Sequence, residues 1–95
     1  MTLSDVCITI INQSGQETKS LQLIDEKGRF DIANLSSNSS TSFKFRSPGE
    51  NVYHLLVVLL SGDTLKSQEE YIEGGYRRTA IISETDVTTK DSSSY

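Results

Sequence analysis

The chain has 95 residues, nine of them basic and thirteen acidic, for a formal net charge of −4, and 35% of its residues are apolar. That is the size of one domain with its own core, and the acidic balance works against nucleic acid and anionic membranes as partners. The chain contains one cysteine, Cys7, and one histidine, His54. An intrachain disulfide is therefore excluded, the usual zinc ligand set cannot be supplied, and no metal or cofactor is expected.

Apolar residues recur with a period of two, the signature of half-buried strands. Val6, Ile8 and Ile10 alternate with Cys7, Thr9 and Ile11 to predict a first strand, ended by the turn residues Asn12-Gln13-Ser14-Gly15. Cys7, inside this apolar run, is expected to be a buried and inert thiol. Leu21 and Leu23 place a second strand over residues 17–24, and Asp25-Glu26-Lys27-Gly28 a turn after it. Phe30 and Ile32 make a short third strand, Leu35 to Ser40 a polar loop, and Phe43 and Phe45 a fourth strand. Ser47-Pro48-Gly49-Glu50 is a turn, because Pro48 presets φ at its second position and Gly49 permits positive φ at its third.

The fifth strand, Val52 to Leu60, ends at Ser61-Gly62-Asp63, and a polar sixth runs from Thr64 to Ile72. Glu73-Gly74-Gly75 is expected to close a hairpin onto a seventh strand, Tyr76 to Ser83, with a continuation to Val87 left open. Seven short strands with turn signals every ~8–12 residues predict an all-β, seven-stranded antiparallel sandwich. Residues 1–88 form the domain in this scheme, and 89–95 a loose tail. No segment approaches the ~20 apolar residues that span a bilayer. The N-terminus lacks a signal-peptide pattern, so the default location is the cytoplasm, with export the alternative if Met1 has replaced a leader. Asn-x-Ser sequons at Asn12, Asn34 and Asn38 are expected by chance in a chain so rich in serine.

The order Asn12-x-Ser14-Gly15, Ser47-Pro48-Gly49-Glu50, Ser61-Gly62-Asp63 and Tyr71-Ile72-Glu73-Gly74-Gly75-Tyr76 resembles that of small bacterial proteins with an immunoglobulin-like or transthyretin-like sandwich. The resemblance spans Val6 to Val87. It implies a fold and carries no activity.

Enzymatic chemistry finds little support. His54 is the sole histidine, it lies in the most apolar strand, and Gly-x-Ser-x-Gly is absent. The carboxylates at Asp25-Glu26, Glu69-Glu70-Glu73 and Glu84-Asp86 fit solvated turns, and no phosphate-binding glycine loop is present. Two features stand out. The fifth strand is apolar on both faces, with Tyr53, Leu55, Val57 and Leu59 on one and His54, Leu56, Val58 and Leu60 on the other. A sandwich strand needs only one apolar face. Histidine is the more easily placed outside, so Leu55, Val57 and Leu59 are expected in the core and His54, Leu56, Val58 and Leu60 outside, covered by the chain itself or by another molecule. The second feature is Tyr71, Glu73, Tyr76, Arg77 and Arg78 around the glycine turn, since tyrosine and arginine are enriched at binding hot spots. Cross-strand pairing of the tyrosines, and of the arginines with glutamates, is the plainer account of them. These residues suggest a non-enzymatic protein–protein interaction module. The alternative is a structural or self-associating subunit using the same surface, and an enzyme is a distant third.

Overall fold

The computed structural model describes residues 5–46 and 50–91, and the backbone alone at Asp91. Residues 47–49 of the predicted Ser47–Glu50 turn, and 92–95 of the predicted tail, lie outside the described residues. The elements are β1 (Asp5–Asn12), β2 (Thr18–Asp25), β3 (Gly28–Asp31), β4 (Ser40–Arg46), β5 (Asn51–Leu59), β6 (Thr64–Lys66), β7 (Glu70–Ile72), β8 (Arg77–Ile82) and β9 (Val87–Asp91). The protein is all-β, with no helix among the described residues.

Two sheets enclose one core. The first has the order β4-β1-β8-β9; the second runs β3-β2-β5-β6, with β7 also pairing β5. Period-two alternation decides the layers. Val6, Ile8, Ile10, Ala80 and Ile82 of the first sheet meet Leu21, Leu23, Tyr53, Leu55, Val57, Leu59 and Ile72 of the second, all buried. Each such aliphatic side chain adds ~1.5–3 kcal/mol when removed from water. At one seam Phe30 of β3 packs on Phe43 and Phe45 of β4, with ring centroids 5.6 and 5.7 Å away.

The arrangement departs from the predicted seven antiparallel strands: the described residues form nine, with β1 and β8 parallel, and four local readings change. First, Glu73-Gly74-Gly75 closes no hairpin. β7 pairs with β5 in the second sheet, whereas β8 lies parallel to β1 in the first. Residues 73–76 are thus a crossover between sheets, pinned where the Gly75 N–H donates to the Asp5 carbonyl (2.8 Å). Gly75 has φ +93°, a backbone a glycine tolerates and most residues do not.

Second, the predicted sixth strand is two strands. At Ser67 the side chain replaces a backbone group: its Oγ accepts from the Leu55 N–H (2.9 Å), which breaks the ladder between β6 and β7. Third, the predicted seventh strand stops at Ile82. Ser83 forms a turn in which its hydroxyl donates to an Asp86 carboxylate oxygen (2.8 Å) and its N–H to the Asp86 carbonyl (2.9 Å). The chain then returns antiparallel as β9, burying Val87 and continuing through Asp91, so residues 89–91 belong to the sheet rather than to a tail. Fourth, Cys7 is half-buried, on the outer face of β1. The alternation that sends Val6 and Ile8 inward turns Cys7 outward, between Lys44 and Arg77 in register.

Candidate functional site

β5 is the central strand of the second sheet, and its two faces are distinct. Tyr53, Leu55, Val57 and Leu59 are buried, whereas Val52, His54, Leu56 and Val58 are half-buried on the outer face, the orientation that the polarity of His54 predicts. Leu60 is on the outside as expected, 62% exposed, but it follows the strand end rather than closing the stripe, in the turn where its N–H donates to the Glu17 carbonyl (3.0 Å).

Register places the neighbours of the outer stripe. Val58 lies between Ser20 and Thr64, Leu56 between Gln22 and Lys66, His54 beside Ile24, and Val52 beside Tyr71. Gln22 is itself held by an Asp31 carboxylate oxygen (2.8 Å), and His54 Nδ1 lies 3.8 Å from a Glu69 carboxylate oxygen. Long polar side chains therefore flank an apolar strip with Tyr71, 42% exposed, at its end. Ile24 and Val52 belong to this surface and were not singled out from the sequence. Ile24 precedes the turn at Asp25, and its place beside His54 follows only from the β2–β5 register.

The tyrosine and arginine residues meet where the chain changes sheets. The Arg78 guanidinium lies 3.6 Å from a Glu70 carboxylate oxygen, donates to the Tyr71 carbonyl (3.2 Å) and sits over the Tyr76 ring at 5.7 Å. Tyr71 and Tyr76 touch edge to face at 6.1 Å between centroids. Partial desolvation, followed by Glu50, Glu73 and Tyr76, holds the Tyr71 hydroxyl above the usual tyrosine pKa. Arg77 does not join them. It points to the opposite side, outward on the first sheet beside Cys7, because adjacent strand residues face opposite ways. Glu73 is exposed in the crossover. The predicted residues are thus a stripe (His54, Leu56, Val58, with Tyr71), a crossover cluster (Tyr76, Arg78, Glu73) and two outliers, Leu60 and Arg77.

At the seam opposite the phenylalanines, a groove of about 400 Å³ opens between β6–β7 and β9, lined chiefly by Lys66, Gln68, Glu70, Asp86, Thr88 and Thr89. Its walls come from both sheets, so no local motif announces it. Among the described residues, no group of three or more His, Cys, Asp or Glu side chains is gathered to hold a metal ion.

Behind the groove the Tyr53 hydroxyl is buried without a hydrogen-bond partner, as is Arg78 Nε. Burial pushes the Tyr53 pKa up to about 12, with Arg78 opposing and Glu70 adding to the shift. The folded value lies above the unfolded 10.0. The neutral phenol is therefore favoured by folding, and its contribution is fully present below pH 10 and lost as pH rises through 12. Two units correspond to about 2–3 kcal/mol. Urea unfolding at pH 7 and pH 11.5 should show a larger alkaline loss for the wild type than for Tyr53→Phe, which at pH 7 should be at least as stable because no partner is lost. Equal alkaline losses would rule out Tyr53 as the titrating group.

No family model matches the chain, and no curated protein matches it. Among solved structures, an NMR structure of a protein from Eubacterium rectale superposes with a TM-score of 0.67 at 19% identity, over 96% of this chain and 91% of that one. A disulfide-locked mutant of intermedilysin, solved with human CD59, gives a TM-score of 0.51 at 10% identity, over 96% of this chain and 24% of that one. At such identities the likeness is one of fold.

Proposed function

We propose that this chain is a non-enzymatic protein-interaction module, an immunoglobulin-like or transthyretin-like sandwich that binds a protein partner through the outer face of its second sheet. The observation that carries this reading is the stripe Val52, His54, Leu56 and Val58, half-buried on the outer face of the central strand and continued by exposed Tyr71. A core-building strand gains nothing from an apolar outer face, and such patches mark contact surfaces. Tyr71 supplies the aromatic body and hydroxyl typical of a hot spot.

A photoreactive residue at position 56 should form an adduct with a partner of distinct mass in an extract of the source cells. The same residue at position 79, on the first sheet, should not. The double variant His54→Ala, Tyr71→Ala should lose the adduct while its melting temperature stays within a few degrees. Adducts of twice the chain mass alone would favour the self-associating subunit, and adducts at neither position would remove the reading.

A further inference from the structure

We propose that the free edge of β4 is a strand-acceptor site for an extended peptide in which acidic and apolar residues alternate. The proposal rests on the reading of the chain as an interaction module, but it uses a different surface from the β5 stripe. Among the described residues, β4 pairs with β1 on one side and with no strand on the other. The N–H groups of Cys7 and Gln13 donate towards β8, to the carbonyls of Tyr76 (3.1 Å) and Ile82 (2.8 Å), whereas that of Asn12 donates to the Ser39 carbonyl (2.9 Å). The even-numbered residues of β1 therefore bond to β4. With Ile8 opposite Phe43 and Cys7 opposite Lys44, it is Ser42, Lys44 and Arg46 whose backbone groups face the open edge. That row of donors and acceptors is what an added strand pairs with.

The two sides of this edge differ in chemistry, and the difference specifies the guest. On the outer side stand Lys44 and Arg46, both exposed, with Arg77 and Lys90 further along the same face. Asp5, opposite Arg46, is the one acid on that face among the described side chains. Four of the chain's nine basic residues thus share one face of a molecule with a net charge of −4. On the inner side lie Phe43, half-buried and stacked on buried Phe45, and Phe30, 38% exposed and tilted against it. A strand laid beside β4 turns alternate side chains to these two sides. Acidic residues would meet Lys44 and Arg46, and apolar ones would cover Phe30 and Phe43. Like charge deters a second copy from pairing along the same edge. Nucleic acid is a poorer fit, since among the described residues the cationic face has no aromatic ring for a base to stack on. So is an anionic bilayer, since among the described residues that face has no large exposed apolar side chain.

The test uses a capped seven-residue peptide of alternating Glu and Val, with a control of the same composition in which the glutamates are contiguous. Amide NMR titration of the full chain should show the alternating peptide shifting Ser42, Lys44 and Arg46 and slowing their hydrogen exchange, with the control at least tenfold weaker. Lys44→Glu with Arg46→Glu should weaken binding by about tenfold or more. Ser42→Pro, which removes an edge-directed donor while sparing the bonds to β1, should abolish it with β1 amides still protected. Equal binding of the two peptides, shifts confined to the β5 stripe, or binding unaffected by either variant would overturn the proposal. So would tighter binding of a single-stranded oligonucleotide or of phosphatidylserine vesicles at the same salt. The position-56 adduct is read separately on the same variants: its loss with peptide binding intact counts against the β5 surface alone, and its survival without peptide binding counts against the β4 site alone.

Discussion

Leu59→Ala is expected to remove about 2–5 kcal/mol of stability, the usual cost of a cavity left by a fully buried leucine, and Leu56→Ala much less. The two positions lie three residues apart on β5, and the substitution deletes the same atoms. Leu59 is 0% exposed and packs between the sheets, so its neighbours cannot close over the void. Leu56 lies on the outer face between Gln22 and Lys66, whose flexible side chains, with water, can fill the gap. A domain of this size has ~5–15 kcal/mol in total, so the Leu59 loss would shift the urea midpoint by a large fraction of its value. Leu56→Ala should instead lower the yield of partner adduct. Equal large losses at both positions, with no change in association, would mean that both faces of β5 are internal.

Asn12→Ala should be the most damaging polar substitution, at about 3 kcal/mol or more, since several buried groups lose their partner at once. Asn12 is 0% exposed. Its amide nitrogen lies 2.7, 3.2 and 3.2 Å from the carbonyls of Gln16, Leu35 and Ser36, and its Oδ1 accepts from the Ser14 N–H (3.1 Å) and hydroxyl (2.7 Å). The side chain thus ties the β1–β2 turn to the β3–β4 loop, across 24 residues of chain. Ser14→Ala, which deletes only one arm of the network, should cost roughly 1 kcal/mol. A similar cost for both in urea unfolding would show that Asn12 is not the hub. The same burial withdraws the Asn12 sequon from any glycosylating enzyme acting on the folded chain, a stronger reason than chance for leaving it unmodified.

Local sequence alone determined β1 to β5 and β8 to within a residue or two, most of the turns and the orientation of β5. Alternation sends Val6, Ile8 and Ile10 to one side, and the single polar member of an apolar strand, His54, marks the side facing water. These are short-range effects: dihedral preference, turn chemistry and a period of two act within a few residues. Which strand lies beside which was decided by the tertiary structure. Glu73-Gly74-Gly75 bends the chain equally well into a hairpin or across to the other sheet. The choice went to the crossover because Ala80 and Ile82 complete the core beside β1, while Ile72 completes it beside β5. The same long-range pairing put Arg78 against Glu70 and Arg77 on the far face. There it joins Lys44, Arg46 and Lys90, more than thirty residues from the first two in sequence, in a cationic surface that a count of charges on an acidic chain argues against. It also made Asn12 a buried hub instead of a turn residue, because the carbonyls it satisfies come from a loop that only the closed core brings to it.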